Sequence, residues 1–353
     1  MARRFGIPPA SAREQLQKRV TPAATETFRP LPAPTGSAPF RATPAQLGIT
    51  DAAPLHFFVL GDSGGIMNPT PQNNVSNAMQ AQPAPRPALI YHVGDVVYFN
   101  GAQADYPSQF YEPYAHLDVP ICGIPGNHDG DNSNDTSVPS LQAYMANFCA
   151  AGPQLPAGSE EFNRDTETQP NCYWTLRAEA VTIVGLYTNV PSGGVVESDQ
   201  ADWLAGELEA APAGVPLIVT LHHPPYSVDE FHGGSATMGQ VLDAAVAAAR
   251  RTPDLILSGH VHNYQRFTRT LSDGTTLPYI VSGNGGYHNL HKLAADATPG
   301  QTVGEGVVFE AGDDANWGFM TFIAGDGRLT AQYVRVAPDG TVTQNVDAFT
   351  AGG

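Results

Sequence analysis

The sequence predicts an α/β fold, and three features of its 353 residues support this prediction. Short apolar runs recur along the chain and end in Gly, Asp, Asn or His. Helical patterns lie between several of these runs, and the last stretch contains two tight-turn signals. Nearly continuous apolar runs are typical of strands buried on both faces, and their alternation with helices is typical of mixed α/β proteins.

Six apolar runs are the predicted strands of this fold. They are rich in β-branched and aromatic residues, which favour strands. In chain order they are LHFFVLGD (55–62), ALIYHVGD (88–95), VPICGIPGNHD (119–129), VTIVGLY (181–187), PLIVTLHH (216–223) and DLILSGHVH (254–262).

Three segments are predicted helices, and the chain is predicted to end in antiparallel strands. The helices span 140–150, 198–211 with Ser198 as a candidate N-cap, and 236–251. Residues 317–349 predict two hairpins, because Asp-Gly pairs at 326–327 and 339–340 interrupt alternating apolar residues.

The first 50 residues differ in composition from the rest of the chain. Residues 1–50 contain seven Lys/Arg and two Asp/Glu and are rich in Pro and Ala, so they predict an extended basic arm. Residues 51–353 predict the folded domain. The whole chain has 17 basic and 34 acidic residues, which give a net charge of −17. This charge disfavours nonspecific electrostatic binding to nucleic acid or to an anionic membrane.

Localisation and cysteine chemistry stay open at this stage. No apolar run reaches 18 residues, and the sequence as written begins without the apolar region of a signal peptide. Three cysteines cannot form a disulfide framework. Cys122 is expected to be a buried thiol, whereas Cys149 and Cys172 could form a disulfide or remain reduced.

Polar side chains follow the predicted strands at the points where functional groups gather in open α/β sheets. They are Asp62, Asp95, Asn127, His128, His222, His260 and His262. A single Gly-Asp pair is more often a turn than a ligand. Oxygen and imidazole ligands from several strands nevertheless predict a dinuclear metal site, and the absence of cysteine from the set argues against structural zinc.

The ordered motifs resemble those of the calcineurin-like metallophosphoesterases, and among them the purple acid phosphatases of the small, tartrate-resistant type. The matching blocks are GDSG (61–64), GDVVY (94–98), GNHD (126–129), VTLH (219–222) and GHVH (259–262). The resemblance implies a four-layer α/β/β/α sandwich with central mixed sheets between helices. It also implies that residues 51–353 form the catalytic domain.

The resemblance also implies a ligand set for two metal ions. Asp62, Tyr98 and His262 would bind the first ion, Asn127, His222 and His260 the second, and Asp95 would bridge them. Gly64 stands where other metallophosphoesterases carry a histidine. Because a phenolate stabilises Fe(III), Tyr98 favours Fe(III) at the first position, with Fe(II), Zn or Mn at the second. The alternative for Tyr98 is an ordinary half-buried strand tyrosine.

Further residues receive catalytic roles from the same resemblance. His128 would contact the phosphoryl oxygens, with support from Asp129, while a metal-bound hydroxide attacks phosphorus. His232 is the first candidate for the leaving-group acid, because a flexible turn at 227–230 and two glycines would let it swing over the metals. His223 is the second candidate, although alternation in an extended segment would point it away from them. His92 is expected to be a core or supporting residue. No role is assigned to His56, His116, His288 and His291.

The expected activity is hydrolysis of phosphate monoesters, with a phosphorylated small molecule as substrate. Two alternatives remain open: a diesterase or nucleotide or phospholipid hydrolase on the same metals, and a non-catalytic binding module. Neither a nucleic-acid scaffold nor a membrane span is expected, and the oligomeric state is open. The family resemblance suggests an exported or periplasmic protein. The acidic insertions 129–140 and 152–172 are the expected walls of the substrate site.

Overall fold

A computed structural model describes residues 30–130, 139–156, 158–188 and 193–353. Within these ranges the strands, numbered along the chain, form two mixed sheets. The nine-stranded sheet contains, in spatial order, β1 (Arg41–Ala42), β5 (Trp174–Arg177), β6 (Thr182–Gly185), β7 (Leu217–Thr220), β8 (Leu255–Ser258), β10 (Thr276–Ser282), β9 (Tyr264–Thr270), β12 (Val307–Asp313) and β11 (Gln301–Gly304). The six-stranded sheet contains β15 (Val342–Gly352), β14 (Arg328–Val336), β13 (Trp317–Gly325), β2 (Leu55–Leu60), β3 (Leu89–His92) and β4 (Ile121–Gly123).

The longer helices of the described residues cover the outer faces of the two sheets. They are α1 (Thr70–Gln80), α2 (Gln142–Phe148), α3 (Ser198–Glu209) and α4 (Ala236–Ala249). Short 3-10 turns occur at Pro44–Leu47, Gln103–Asp105 and Glu160–Phe162, and a π-helical turn at Pro107–Tyr111 runs into Glu112–Tyr114. No helix of the described residues is long and apolar enough to cross a membrane.

Three apolar cores separate four layers. Along β2, Phe57 and Val59 face the nine-stranded sheet, and Phe58 and Leu60 face the helices on the other side, because successive strand residues point to opposite faces. The core between α1, α2 and the six-stranded sheet holds Met79, Phe148 and Phe319, and the core under α3 and α4 holds Leu204, Met238 and Val219. The α/β/β/α sandwich expected from the sequence is therefore confirmed.

The parallel strands bring their carboxyl ends to one edge of the sandwich. In the six-stranded sheet β3 lies between β2 and β4, and all three run parallel. In the nine-stranded sheet β6, β7 and β8 also run parallel. The loops that leave these ends carry the motif residues of both sheets.

The described part of the N-terminal arm lies on the body of the protein. Arg41 and Ala42 pair with β5, and the indole Nε1–H of Trp203 donates to the carbonyl of Pro39 at 2.7 Å. The Arg41 Nε lies 2.9 and 3.0 Å from the two carboxylate oxygens of the buried Glu207. Residues 1–29 of the predicted arm lie outside the described residues.

Some local predictions differ from the structure. Helix α1 was not predicted, because TPQNNVSNAMQ is mostly polar and only Val75, Ala78 and Met79 mark its buried face. Glu197 occupies the N-cap position of α3, so Ser198 is its first helical residue. The two predicted C-terminal hairpins are confirmed, with left-handed backbone at Asp326 and Gly327. Cys122 is buried in β4 as predicted, and Cys149 and Cys172 are buried free thiols.

We expect Glu207→Gln to lower the free energy of unfolding by about 2 kcal/mol, because a buried carboxylate accepts charged hydrogen bonds from Arg41. Arg177 lies 3.6 Å away and would also lose its counter-charge. Urea denaturation measures the change. The matched control is Asp243→Asn, which breaks the exposed pair with Arg269 and should cost less than about 1 kcal/mol. Equal losses in the two variants would contradict this account of how the arm is held.

Candidate metal centre

The seven predicted ligands lie just beyond the carboxyl ends of the strands. Asp62 follows β2, Asp95 and Tyr98 follow β3, and Asn127 follows β4, whereas His222 follows β7 and His260 and His262 follow β8. Asp62, Asp95 and His260 have left-handed backbone, with φ of 57°, 56° and 68°. This conformation is costly for residues with a side chain, and residues that adopt it are often found at functional sites.

One group of candidate ligands contains Asp62, Asp95 and His262. Their ligand atoms all lie within 4.8 Å of one another. The Tyr98 hydroxyl lies 3.2 Å from His262 Nε2 and 3.4 Å from Asp62 Oδ1, and the Tyr98 ring is fully buried. Tyr98 is therefore not a half-buried strand tyrosine, because its hydroxyl is at the ligand group and its ring lies past the end of β3.

The second group contains Asp95, His222 and His260, again within 4.8 Å. Asn127 Oδ1 lies 3.1 Å from His222 Nε2 and 2.9 Å from His260 Nδ1, so the amide oxygen belongs to this group. Asp95 is common to both groups. The structure thus brings all seven residues together.

The carboxylate of Asp95 fits a bridging role. Its Oδ1 accepts the backbone N–H of His128 at 2.8 Å, whereas its buried Oδ2 makes no hydrogen bond. Oδ2 lies 3.2 Å from His222 Nε2. Burial alone would raise the pKa of Asp95, but His222 and the His128 amide outweigh it and hold this pKa below its usual value. Burial would lower the pKa of His222, and Asp95 raises it to about 9. Hard oxygen donors with imidazoles suit iron, zinc or manganese.

Backbone carbonyls orient the histidine rings. His222 Nδ1–H donates to the Val93 carbonyl at 2.8 Å, and His262 Nδ1–H donates to the Asn289 carbonyl at 3.0 Å. Both bonds direct Nε2 of the ring toward the ligand group, which is the usual support of a metal-binding histidine. His260 presents Nδ1 instead.

His92 supports the two acidic loops and is not among the clustered ligands. The buried ring lies 2.9 Å from Ser63 Oγ, next to Asp62, and accepts the N–H of Gly94, next to Asp95, at 3.1 Å. This agrees with the expected supporting role. Arg266, which follows the GHVH block in β9, is paired with Asp347 of β15 and takes no part in the ligand groups.

The absence of a side chain at Gly64 leaves room for Gln109 and for the Tyr98 ring. A Cβ at Gly64 would lie 2.4 Å from Gln109 Oε1 and 2.9 Å from Tyr98 Cδ2. Gln109 holds Tyr98 by accepting its N–H at 2.9 Å and donating to its carbonyl at 2.8 Å. A histidine at position 64 therefore could not coexist with Tyr98 in this place.

The prediction that Asp129 supports the His128 ring is wrong. Its Oδ1 accepts the backbone N–H groups of Val96 and Val97, and its Oδ2 accepts that of Gly126. The carboxylate thus joins the two loops that carry Asp95 and Asn127. The His128 ring is held by its Nδ1–H, which donates to the Phe99 carbonyl at 2.8 Å, and by packing 4.6 Å from the Tyr98 ring.

The two candidate acids lie differently from the prediction. The His223 ring does not point away: it is buried 4.3 Å from the His260 ring, and Nδ1 hydrogen-bonds Thr188 Oγ1 at 2.8 Å. Strand β7 ends at Thr220, so the alternation of an extended segment no longer applies. The exposed His232 ring lies 5.1 Å from that of His260.

Two aromatic residues at the site were not predicted. The His291 ring lies between those of His262, at 4.3 Å, and His232, at 4.9 Å. The Tyr287 ring stacks on Tyr98 at 4.1 Å. Both follow the SGNGG segment at 282–286, but no spacing to the other motifs marks them in the sequence.

Comparison with known proteins agrees with this geometry. Residues 55–264 match the calcineurin-like phosphoesterase family model. The chain is 32% identical over 140 residues to probable purple acid phosphatase 20 of Arabidopsis thaliana, covering 37% of this chain and 31% of that one. It is 26% identical over 280 residues to purple acid phosphatase 23 of the same plant, covering 70% and 55%. The chain thus spans from a third to about half the length of these relatives.

Solved structures show the same fold at low sequence identity. The purple acid phosphatase PPD1 from yellow lupin (Lupinus luteus) seeds superposes with a TM-score of 0.60 at 19% identity, covering 84% of this chain and 53% of that one. GAP50, the anchor in the inner membrane complex of Plasmodium, gives 0.56 at 14% identity, covering 84% and 88%. The family model spans more than half of the residues and includes the loops of all seven clustered side chains, so this chain belongs to the calcineurin-like phosphoesterase family and has purple acid phosphatases among its homologues.

Proposed function

We propose that the chain hydrolyses phosphate monoesters with two metal ions, as an acid phosphatase of the purple type. The observation that carries this proposal is the pair of buried ligand groups that share Asp95 and include the Tyr98 hydroxyl. Asp62, Tyr98 and His262 would hold Fe(III), and Asn127, His222 and His260 would hold Fe(II), Zn or Mn, with Asp95 between them. When bound, two such cations would activate a water molecule and neutralise phosphate charge.

His128 is proposed to bind the phosphoryl group. The hydrogen bond from Nδ1 to the Phe99 carbonyl turns Nε2, on the opposite side of the ring, away from that contact. The backbone N–H of the same residue holds Asp95. Because Nδ1–H is donated to Phe99, Nε2 carries a proton only when the ring is an imidazolium, and that form would stabilise negative charge on a phosphoryl group bound near Asp95.

His232 is proposed to protonate the leaving group. The residue is exposed and its ring lies 5.1 Å from that of His260, so it is accessible to an ester that binds at the ligand groups. His223 lies beneath, buried and bound to Thr188. A proton donor must reach the leaving oxygen, and the position of His232 suits this requirement better.

The alternative activities need separate tests. Turnover of bis-esters against mono-esters distinguishes a diesterase from the proposed monoesterase. A binding module without activity is less well supported, because all seven ligand positions are filled by residues that can bind metal.

We expect Asp95→Asn to lower the content of both metals and the turnover, because an amide has one acceptor oxygen and no charge at the position common to both ligand groups. Elemental analysis of the purified protein measures the metals. His92→Asn is the control, since His92 contacts Ser63 and Gly94 and is not among the clustered ligands. Equal metal loss in both variants would show that Asp95 is not the bridge.

We expect iron-loaded protein to show a broad visible absorption band that Tyr98→Phe removes, because the band requires charge transfer from a phenolate to Fe(III). Tyr287→Phe, which alters the ring stacked on Tyr98, should keep the band. Colourless wild-type protein that contains two zinc or manganese ions after aerobic preparation with iron would refute the purple type and leave the hydrolase proposal standing.

We expect His232→Ala to slow hydrolysis of an alkyl phosphate by roughly 10²-fold or more and that of an activated aryl phosphate much less, because a good leaving group departs without a proton. Steady-state kinetics on the two substrates measure the difference. His223→Ala should slow both substrates alike. A substrate-dependent loss in His223→Ala alone would identify His223 as the proton donor.

A further inference from the structure

The segment that carries His232 is held by main-chain pairing on both sides. Val228 bridges to Gly233, and Asp229 bridges to Leu293. The N–H of Glu230 donates to the Lys292 carbonyl at 2.9 Å. The turn at 227–230 is therefore not the flexible turn that the sequence predicted, and a single substituted side chain should not unfold it.

The backbone N–H groups of Phe231 and His232 are bound by a side chain. Both donate to Asp229 Oδ1, at 2.7 and 2.6 Å. The Asp229 side chain is fully buried, although the His232 ring is exposed. A buried carboxylate with two amide donors on one oxygen restrains the two residues that precede Gly233.

The second oxygen of Asp229 reaches the ligand segment that follows β8, the neighbouring strand of the same nine-stranded sheet. Asn263 Nδ2 donates to Asp229 Oδ2 at 3.1 Å and to the His291 carbonyl at 3.1 Å. Asn263 is fully buried, and its Oδ1 accepts from Gln265 Nε2 at 2.8 Å. Because Asn263 directly follows His262, a short chain of hydrogen bonds connects the backbone of His232 to that of a candidate metal ligand.

We infer that Asp229 is a positioning residue, which together with Asn263 fixes the place of His232 relative to the ligand groups. This inference rests on the proposed function, in which His232 serves the leaving group. Without Asp229, the backbone at Phe231 and His232 would be restrained only from its ends, and the His232 ring would be positioned only by its contacts with His260 and His291. Proton transfer depends steeply on distance, so the rate should fall most for substrates whose leaving group must be protonated.

Asp229→Asn tests the inference, because one amide oxygen cannot serve both sets of donors and the new amide would face that of Asn263. We expect the alkyl phosphate rate to fall by roughly tenfold, with an activated aryl phosphate changed less than about twofold and metal content unchanged. Asp314→Asn is the matched control. It makes the same charge change on a carboxylate that accepts the Leu293 N–H at 3.0 Å, opposite the loop, without contacting Phe231 or His232.

Two further variants separate positioning from general damage. Asn263→Asp in the Asp229→Asn background places a carboxylate acceptor opposite the new amide donor at position 229. It should recover only part of the alkyl phosphate rate, because the His291 carbonyl loses the donor that Asn263 provides. In the His232→Ala background, Asp229→Asn should add no further loss, since its effect passes through His232. Equal slowing of both substrates, or an added loss without His232, would overturn the inference.

Amide hydrogen exchange gives a readout that does not depend on turnover. In metal-loaded protein, Asp229→Asn should speed exchange at Phe231 and His232, and Asp314→Asn should not. Unchanged exchange would overturn the inference even if the protein hydrolyses no phosphate ester. Absence of all monoester hydrolysis in the wild type, with the expected exchange, would instead refute the proposed function alone.

Discussion

Two carboxylates that are almost completely buried, Asp62 and Asp95, lie side by side at the edge where the sheets meet. Burying like charges is costly unless donors or cations compensate them. The structure compensates in part: the N–H of His260 donates to Asp62 Oδ2 at 2.9 Å, and that of His128 donates to Asp95 Oδ1. One oxygen of Asp95 has no hydrogen bond and lies 3.2 Å from Nε2 of His222, whose pKa Asp95 raises. The geometry of the loops follows from this constraint.

Glycines allow backbone segments of both sheets to pack closely against the two carboxylates. A Cβ on Gly126 would lie 2.2 Å from Asp95 Oδ1, and a Cβ on Gly259 would lie 2.5 Å from Asp62 Oδ2. The glycines of the GNHD and GHVH segments therefore leave the space in which the acidic side chains sit. Asp129 and His92 then hold the loops in register through backbone N–H groups and Ser63.

Much of the fold could be predicted because the buried strands are contiguous apolar runs. Polar residues follow these runs, but the choice of Tyr98 and the division of the candidate ligands between two ions came only from the resemblance of the ordered motifs to a known family. The predictions failed where long-range contacts decide the outcome. Helix α1 has a mostly polar sequence and is stabilised by burial of Val75 and Met79 against the six-stranded sheet. The contacts of Asp129 with Val96, of His291 with His262 and of Asp229 with Asn263 join segments that are far apart in the chain, so no local pattern reveals them.

The division of ligands between the sheets has a mechanical consequence. The six-stranded sheet supplies all the oxygen donors, from Asp62, Asp95, Tyr98 and Asn127, whereas the nine-stranded sheet supplies all the imidazoles. Bound cations would cross-link the two sheets, and any sliding of one sheet over the other would distort both coordination spheres. The ring of Phe57 in β2 stacks on that of Phe322 in β13 at 5.0 Å, in the apolar core between the two sheets. Substitutions in the apolar interior, far from any donor atom, could therefore tune metal affinity through the alignment of the layers, and metal loading would in turn stiffen the whole sandwich.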